Sequence, residues 1–359
     1  MAETSVPFRA GTGGYASYRI PAVVRAKSGA LLAFCEGRVD SAKDWGHIDI
    51  VLKRSTDGGL TWGLLQVVAQ NGAADLAGNP APVVLDTGRI LLVHVRSAGS
   101  AREDLILRGG LPPADGRRVW VQHSDDDGVT WSAPRDINAQ VNKAGWRWYA
   151  TGPGHAIQMS TTGRVVVPGN HTVPPVGHDT GAEVKYSSGH CLFSDDRGET
   201  WSIGYLDEKT DNYINPNETT VAELTDGRLY FNTRTNAKGP GTRADAHSRD
   251  GGRTLIKPFR PQVGLTAPVC QGSLLQLRDP DLLLYSGPAA PDSRALMTIR
   301  VSTDMGVTWH ARCPISGLPA AYSDLVRVDA GTVGLLYETG DFGTYETITF
   351  RRVPVADLT

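Results

Sequence analysis

An octapeptide that recurs along the chain constrains its fold more than any other feature. The pattern S-x-D-x-G-x-T-W occurs as STDGGLTW from Ser55, SDDDGVTW from Ser124, SDDRGETW from Ser194 and STDMGVTW from Ser302. A fifth copy, SRDGGRTL from Ser248, keeps the Ser, Asp, Gly and Thr but carries Leu255 in place of the tryptophan. Successive copies start 69, 70, 54 and 54 residues apart, about the length of one four-stranded unit with loops of variable size. Each copy reads as a β-hairpin turn. Asp and Ser side chains can bond turn amides, Gly supplies a position with φ > 0, and Trp packs between strands. Box residues such as Asp57 and Asp196 are therefore structural, not catalytic. Asp125 and Asp127, which flank a calcium-loop-like stretch, lack the downstream Glu and full spacing such a loop needs, so no metal is expected.

Between the boxes lie short runs rich in β-branched and aromatic residues, such as ALLAFCEGR, RILLVHVRS, RLYFNTR and ETITFRR, bounded by Gly, Asp or Pro. Thr87-Gly88, Thr162-Gly163 and Asp226-Gly227 fit two-residue hairpin turns. Amphipathic helices are scarce and no linker divides the chain. The pattern predicts an all-β propeller as a single domain over residues 1–359. The segment after Tyr345 is expected to help close the ring with the N-terminal part of the chain.

The balance of 36 Lys+Arg against 38 Asp+Glu gives a net charge of −2, without the basic footprint that nucleic acid or an anionic membrane would require. Any anionic ligand must be met by a local cluster. Cys35, Cys191, Cys270 and Cys313 form no CxxC pair and read as core residues rather than zinc ligands or a disulfide framework. No run approaches the roughly 18 apolar residues of a membrane span, and the opening MAETSVPFRAGTGG lacks a charged n-region followed by an apolar stretch. A monomer is expected, in the cytoplasm or, after loss of a leader, outside the cell.

A second set of residues resembles the sialidase (neuraminidase) family along nearly the whole chain. Tyr18-Arg19-Ile20-Pro21 is similar to its YRIP or FRIP signature, and the combination of that tetrapeptide with the boxes is specific. The resemblance implies that Arg19 is the first of three arginines binding a substrate carboxylate. It implies Arg234 in RLYFNTRTN as the second and Arg294 in PDSRALMTIRVS as the third, with Arg300 at an even spacing on the same strand as competitor. Guanidinium forks suit a carboxylate because each donates charge-assisted, bidentate hydrogen bonds. Arg38 in FCEGR matches a supporting ion-pair position, and Asn79, Gly152 to His155 and Gln271 match rim or supporting positions.

By the same resemblance Asp44 in SAKDWGHIDIVL is the acid/base residue. Asp40 and Asp49 are its competitors, and Asp49 falls in an alternating run that suits a strand. Tyr322 in PAAYSDLVRV corresponds to the nucleophile and Glu218 in NPNETTVAEL to its activating carboxylate, while Tyr337 and Tyr345 fit strand ends of the closing segment. A tyrosine suits this chemistry because the anomeric carbon of sialic acid carries a carboxylate, which would repel an anionic Asp or Glu. Tyrosine-nucleophile sialidases are a recognised exception to the two-carboxylate rule for glycosidases. The resemblance implies a six-bladed β-propeller and, as its function, a retaining exo-α-sialidase acting on sialylated glycans without a cofactor. A non-catalytic sialic-acid-binding propeller is the alternative, because fold alone does not specify activity. A transglycosylase would share these residues. Gly78, beside Asn79, departs from the bulky apolar groups that line the family's N-acetyl pocket, leaving the C5 substituent open. The sequons at Asn170 and Asn217 read as accidental.

Overall fold

The expected runs become strands, and their pairing repeats one antiparallel meander along the chain. The computed structural model describes residues 3–174, 187–208, 213–235 and 239–359. Ser17–Arg25, Leu31–Arg38, Ile48–Ser55 and Gln66–Ala69 pair in sequence order, as do Leu76–Val84, Ile90–Ser97, Arg118–Ser124 and Arg135–Asp136. A single parallel bridge between Ile48 and Leu76 joins these two meanders. In the next, Tyr149–Thr151 and Ile157–Gln158 both pair with Val165–Thr172, followed by Ser187–Ser194 and Ser202–Asp207. Thr219–Glu223, Leu229–Arg234, Arg243–Ser248 and Arg260–Pro261 follow.

The final sheet turns on one long strand, His310–Arg327, whose first half pairs with Ala295–Ser302 and whose second half pairs with Thr332–Thr339. Thr347–Pro354 comes next, and the N-terminal strand Thr4–Arg9 completes the edge. Closure at the C-terminus is thus made by the chain's own beginning, which covers an edge that would otherwise offer unpaired backbone groups. Apolar side chains alternate inward along these strands and pack between successive meanders, as where Ala81, Val93 and Val121 meet Val167 and Leu192.

The boxes hold the meanders together. In each, the serine hydroxyl accepts the amide N–H of the box glycine at 2.8–2.9 Å, and the aspartate accepts the amide of the threonine at 2.8–3.0 Å. The glycine is required twice over at Gly59: its φ is +90°, and a Cβ would lie 2.1 Å from Phe350. Trp62 packs edge-on against that same Phe350. None of the box aspartates reaches the cleft described below.

Two local expectations need correction. The turns at Gly88, Gly163 and Gly227 are all longer than two residues, that at Gly163 enclosing four between the Met159 N–H and Arg164 O. Leu85 N–H bonds Arg89 O and Leu224 N–H bonds Arg228 O, each enclosing three residues with the glycine at positive φ, which is how a type I turn is fitted to the strand twist. Cys313 is only half-buried, while Cys35, Cys191 and Cys270 are buried.

Candidate active site

The ends of the inner strands and the loops that follow them surround one cleft of about 550 Å³. All eight residues singled out from the sequence, Arg19, Arg38, Asp44, Asn79, Glu218, Arg234, Arg294 and Tyr322, line it. With Arg117, Glu36 and Glu103 the lining holds five arginines against four carboxylates, a local positive balance in a chain of net charge −2.

Tyr322 sits on the second half of the long strand, 5% exposed, and its hydroxyl donates to Glu218 Oε1. Arg234 Nη1 bridges the pair, donating to Glu218 Oε2 at 2.7 Å and to the tyrosine oxygen at 3.1 Å. Burial and the Glu218 charge push the Tyr322 phenol well above its ordinary value despite Arg234 and Arg19, so the resting side chain is a neutral phenol. Its proton already points at a carboxylate.

Arg19 is 5% exposed and anchored by Glu338, 319 residues away, through an Nε to Oε1 contact of 2.7 Å. The same carboxylate accepts the amide of Ile20 at 2.8 Å and that of Tyr322 at 3.1 Å, so one buried group sets an arginine and the tyrosine together. Burial alone would lower the Arg19 pKa, but Glu338 outweighs it and the net direction is up. Glu338 was not singled out by sequence reasoning, since nothing in YETG announces a partner so distant.

The competitors separate cleanly in space. Arg294 lies in the cleft, donating to Tyr345 Oη at 2.8 Å and to Val269 O at 3.1 Å, whereas Arg300 lies outside the lining and bonds the Thr266 carbonyl. Tyr337 is core. Tyr345, read from the sequence as a strand-end residue of the closing segment, is instead a cleft wall, with the Arg19 guanidinium 3.8 Å from its ring centroid. Asp49 is buried and accepts from Tyr15 at 2.8 Å, Asp40 is exposed outside the lining, and Asp44 reaches the cleft from its loop.

Asp44 forms an ion pair with Arg38 at 2.7 Å, and Arg38 in turn donates to Glu36 at 2.6 Å. The Asp44 side chain is largely exposed, and what desolvation the cleft wall imposes on it is outweighed by Arg38, Arg19 and Arg117, which hold the group below the usual range. Asn79 adopts φ +52°, gives its N–H to Glu36 at 2.9 Å and accepts from Arg117 at 2.9 Å. Gly152 to His155 and Gln271 lie outside the lining. His155 bonds Asp324 at 2.7 Å, and Gln271 donates to the Ser323 carbonyl at 3.0 Å, next to Tyr322. Asn170 is fully buried, and Asn217 lines the cleft, so neither sequon presents an exposed acceptor.

Against known proteins, residues 29–335 match the model of the BNR repeat-like domain. The exo-alpha-sialidase of Aspergillus fumigatus is 30% identical over 98% of this chain and 87% of its own length. The chain belongs to the sialidase family. Another family member, the sialidase of Bacteroides fragilis, is 31% identical over 97% of this chain, which spans just 64% of that longer protein. Among solved sialidase structures, the Hadza microbial sialidase Hz136 superposes with a TM-score of 0.85 at 30% identity, over 99% of this chain and 69% of that one. Among the described residues of this sialidase-family chain, no helix is long and apolar enough to cross a membrane.

Proposed function

We propose that the chain is an exo-α-sialidase that removes a terminal sialic acid from sialylated glycans with retention of configuration, on a six-bladed β-propeller. The propeller reading is supported by six successive antiparallel meanders among the described residues, within 17–69, 76–136, 149–207, 219–261, 273–318 and 320–354 together with 4–9. The observation that carries the mechanism is the Tyr322–Glu218 contact bridged by Arg234.

Arg19, Arg234 and Arg294 bind the sugar carboxylate; the two terminal nitrogens of Arg19 have no hydrogen-bond partner among the described residues and are available for it. The Tyr322 oxygen attacks the anomeric carbon while its proton passes to Glu218, and the bond from that carbon to the leaving oxygen breaks as the oxygen takes a proton from Asp44. Water then attacks the sialyl-tyrosine, giving its proton to Asp44, and Tyr322 recovers its own from Glu218. Two inversions give net retention. In the free protein Arg38 keeps Asp44 ionised, so the acid role requires Asp44 to leave Arg38 and gain a proton as substrate fills the cleft and displaces water.

The test is proton NMR of early product together with Tyr322→Phe, which keeps the ring and deletes the oxygen. The α-anomer should appear first with the parent chain, and kcat should fall steeply in the variant while binding survives. Inversion by the parent chain rules out the covalent tyrosine, and binding without any hydrolysis establishes the lectin reading instead.

A further inference from the structure

The segment from Gly152 to His155 runs just outside the cleft lining and ties the strand of Tyr322 to that of Glu218. Neither it nor the buried Asp324 that it meets takes part in any step of the reaction above. We propose that His155, acting through Asp324, is the positioning residue that sets how closely Tyr322 meets Glu218. This rests on the sialidase reading above and deepens it.

Tyr322 depends on such support because the strand ladder does not fix it. Pairing between His310–Arg327 and Thr332–Thr339 slips between Ala320 and Ser323, and the tyrosine stands in that irregularity. Its amide goes to Glu338, which leaves the chain on its other side to be held by different groups. Ser323 N–H donates to Gln271 Oε1 at 3.0 Å, and its carbonyl accepts Gln271 Nε2 at 3.0 Å. Asp324 accepts four bonds: Val23 N–H at 2.8 Å, Ser273 Oγ at 2.7 Å, His155 N–H at 3.1 Å and His155 Nδ1 at 2.7 Å. Those donors stand on the first, fifth and third meanders, while Asp324 belongs to the sixth.

His155 is the donor whose own segment reaches the base. Gly152 O accepts the amide of Thr219 at 3.2 Å, and Thr219 directly follows Glu218. Four residues therefore span from the neighbour of the base to the residue two beyond the nucleophile. The middle of the span is fixed too. Pro153 O accepts Gln271 Nε2 at 3.4 Å, and Gly154, at φ +97°, passes so near Asp324 that a Cβ would lie 3.2 Å from its Oδ1. A carboxylate only accepts, so Nδ1 of His155 carries the proton in this contact whether the ring is neutral or charged.

Small rotations of the backbone are magnified at the far end of a tyrosine side chain, and a misplacement of about 1 Å at reacting atoms can cost roughly a hundredfold in rate. Arg19 and Arg294, by contrast, are held by Glu338, Tyr345 and Val269, through bonds that involve neither His155 nor Asp324. Loss of the ring contact should loosen the nucleophile and leave the grip on the sugar carboxylate in place.

The experiment compares His155→Ala, His155→Asn and His155→Gln with the parent chain. An asparagine amide stands where Nδ1 does in histidine and a glutamine amide where Nε2 does, so only the asparagine replaces the donor to Asp324. On an aryl α-sialoside, the alanine and glutamine variants should lose about tenfold or more in kcat with KM changed less than about threefold, and His155→Asn should regain most of the loss. Carbon NMR of chains isotopically labelled at the tyrosine Cζ reads the contact apart from turnover, the Tyr322 resonance being the one missing from Tyr322→Phe. That resonance should move upfield in the alanine and glutamine variants, as the phenol proton leaves Glu218, and stay near its parent position in His155→Asn. Melting temperature checks folding, and if His155→Ala does not fold, the asparagine and glutamine variants decide between them. Parent kcat with an unmoved resonance in folded His155→Ala, a loss carried by KM, or no difference between the asparagine and glutamine variants overturns the proposal. If the parent hydrolyses no sialoside, the enzymatic reading fails, and the resonance still decides whether His155 holds Tyr322 against Glu218.

Discussion

Replacing Arg19 and Arg294, two of the three arginines proposed to bind the sugar carboxylate, should give two different kinds of damage, and the structure says which belongs to which. Arg19 is buried against Glu338, whose side chain is fully shielded from solvent. Arg19→Ala leaves that carboxylate with only the amides of Ile20 and Tyr322 as donors, an uncompensated buried charge. Breaking a buried pair in this way destabilises by about 3–5 kcal/mol. Arg294 pairs with no carboxylate among the described residues and is half-buried, so Arg294→Ala forfeits two hydrogen bonds to neutral oxygens, about 1 kcal/mol each. On the proposed function both variants lose one fork from a desolvated substrate carboxylate, about 2–5 kcal/mol of binding. At roughly 1.4 kcal/mol per decade, this is a thirtyfold to several-thousandfold fall in kcat/KM. Urea denaturation beside kinetics on an aryl sialoside separates the two: a large stability loss in Arg19→Ala, a small one in Arg294→Ala, and a kinetic defect in both. Adding Glu338→Gln to Arg19→Ala should recover part of the stability but not the activity. Equal stability of the two single variants, or no recovery in the double, would refute the assignment of Glu338 as a buried charge held by Arg19.

Asp44→Ala should harm natural glycosides more than aryl glycosides with good leaving groups, because only the former need their departing oxygen protonated; equal losses on both argue against Asp44 as the acid. Burial holds His94 and His171 down to about 3, so both stay neutral in the fold while the unfolded chain takes up protons below about 6.5. Stability is therefore full above that value and drains as pH falls towards 3, with a limiting slope of about 1.4 kcal/mol per pH unit per histidine. Denaturation curves between pH 7 and 4 should show the slope, and His94→Gln should shallow it; an unchanged slope would place the acid sensitivity elsewhere. Gly59→Ala should unfold the edge where Thr4–Arg9 joins, by driving a methyl into Phe350 at a positive φ, and hydrogen exchange of Ser5 to Phe8 is the readout.

What could be read from the residues alone was whatever the chain repeats locally. The boxes set where hairpins turn, because Ser, Asp, Gly and Thr within eight residues satisfy one another's amides with no help from distant chain. Strand alternation set the all-β class. The motif around Arg19 and the residues about Asp44, Glu218 and Tyr322 were legible for the same reason, as short strings that resemble a family. Only the tertiary structure put Arg294 in the cleft and Arg300 outside it, and moved Tyr345 from a strand end to a cleft wall. It also brought Glu338 beneath Arg19 and turned Gly78 from a gap into a seat for Glu36, whose Oε1 would lie 2.5 Å from a Cβ there. Spacing along a strand tells which face a side chain occupies, but not what that face meets once the meanders pack around one cleft. Here the partners come from chain ends as far apart as residues 19 and 338, and only closure of the molecule puts them 2.7 Å from each other.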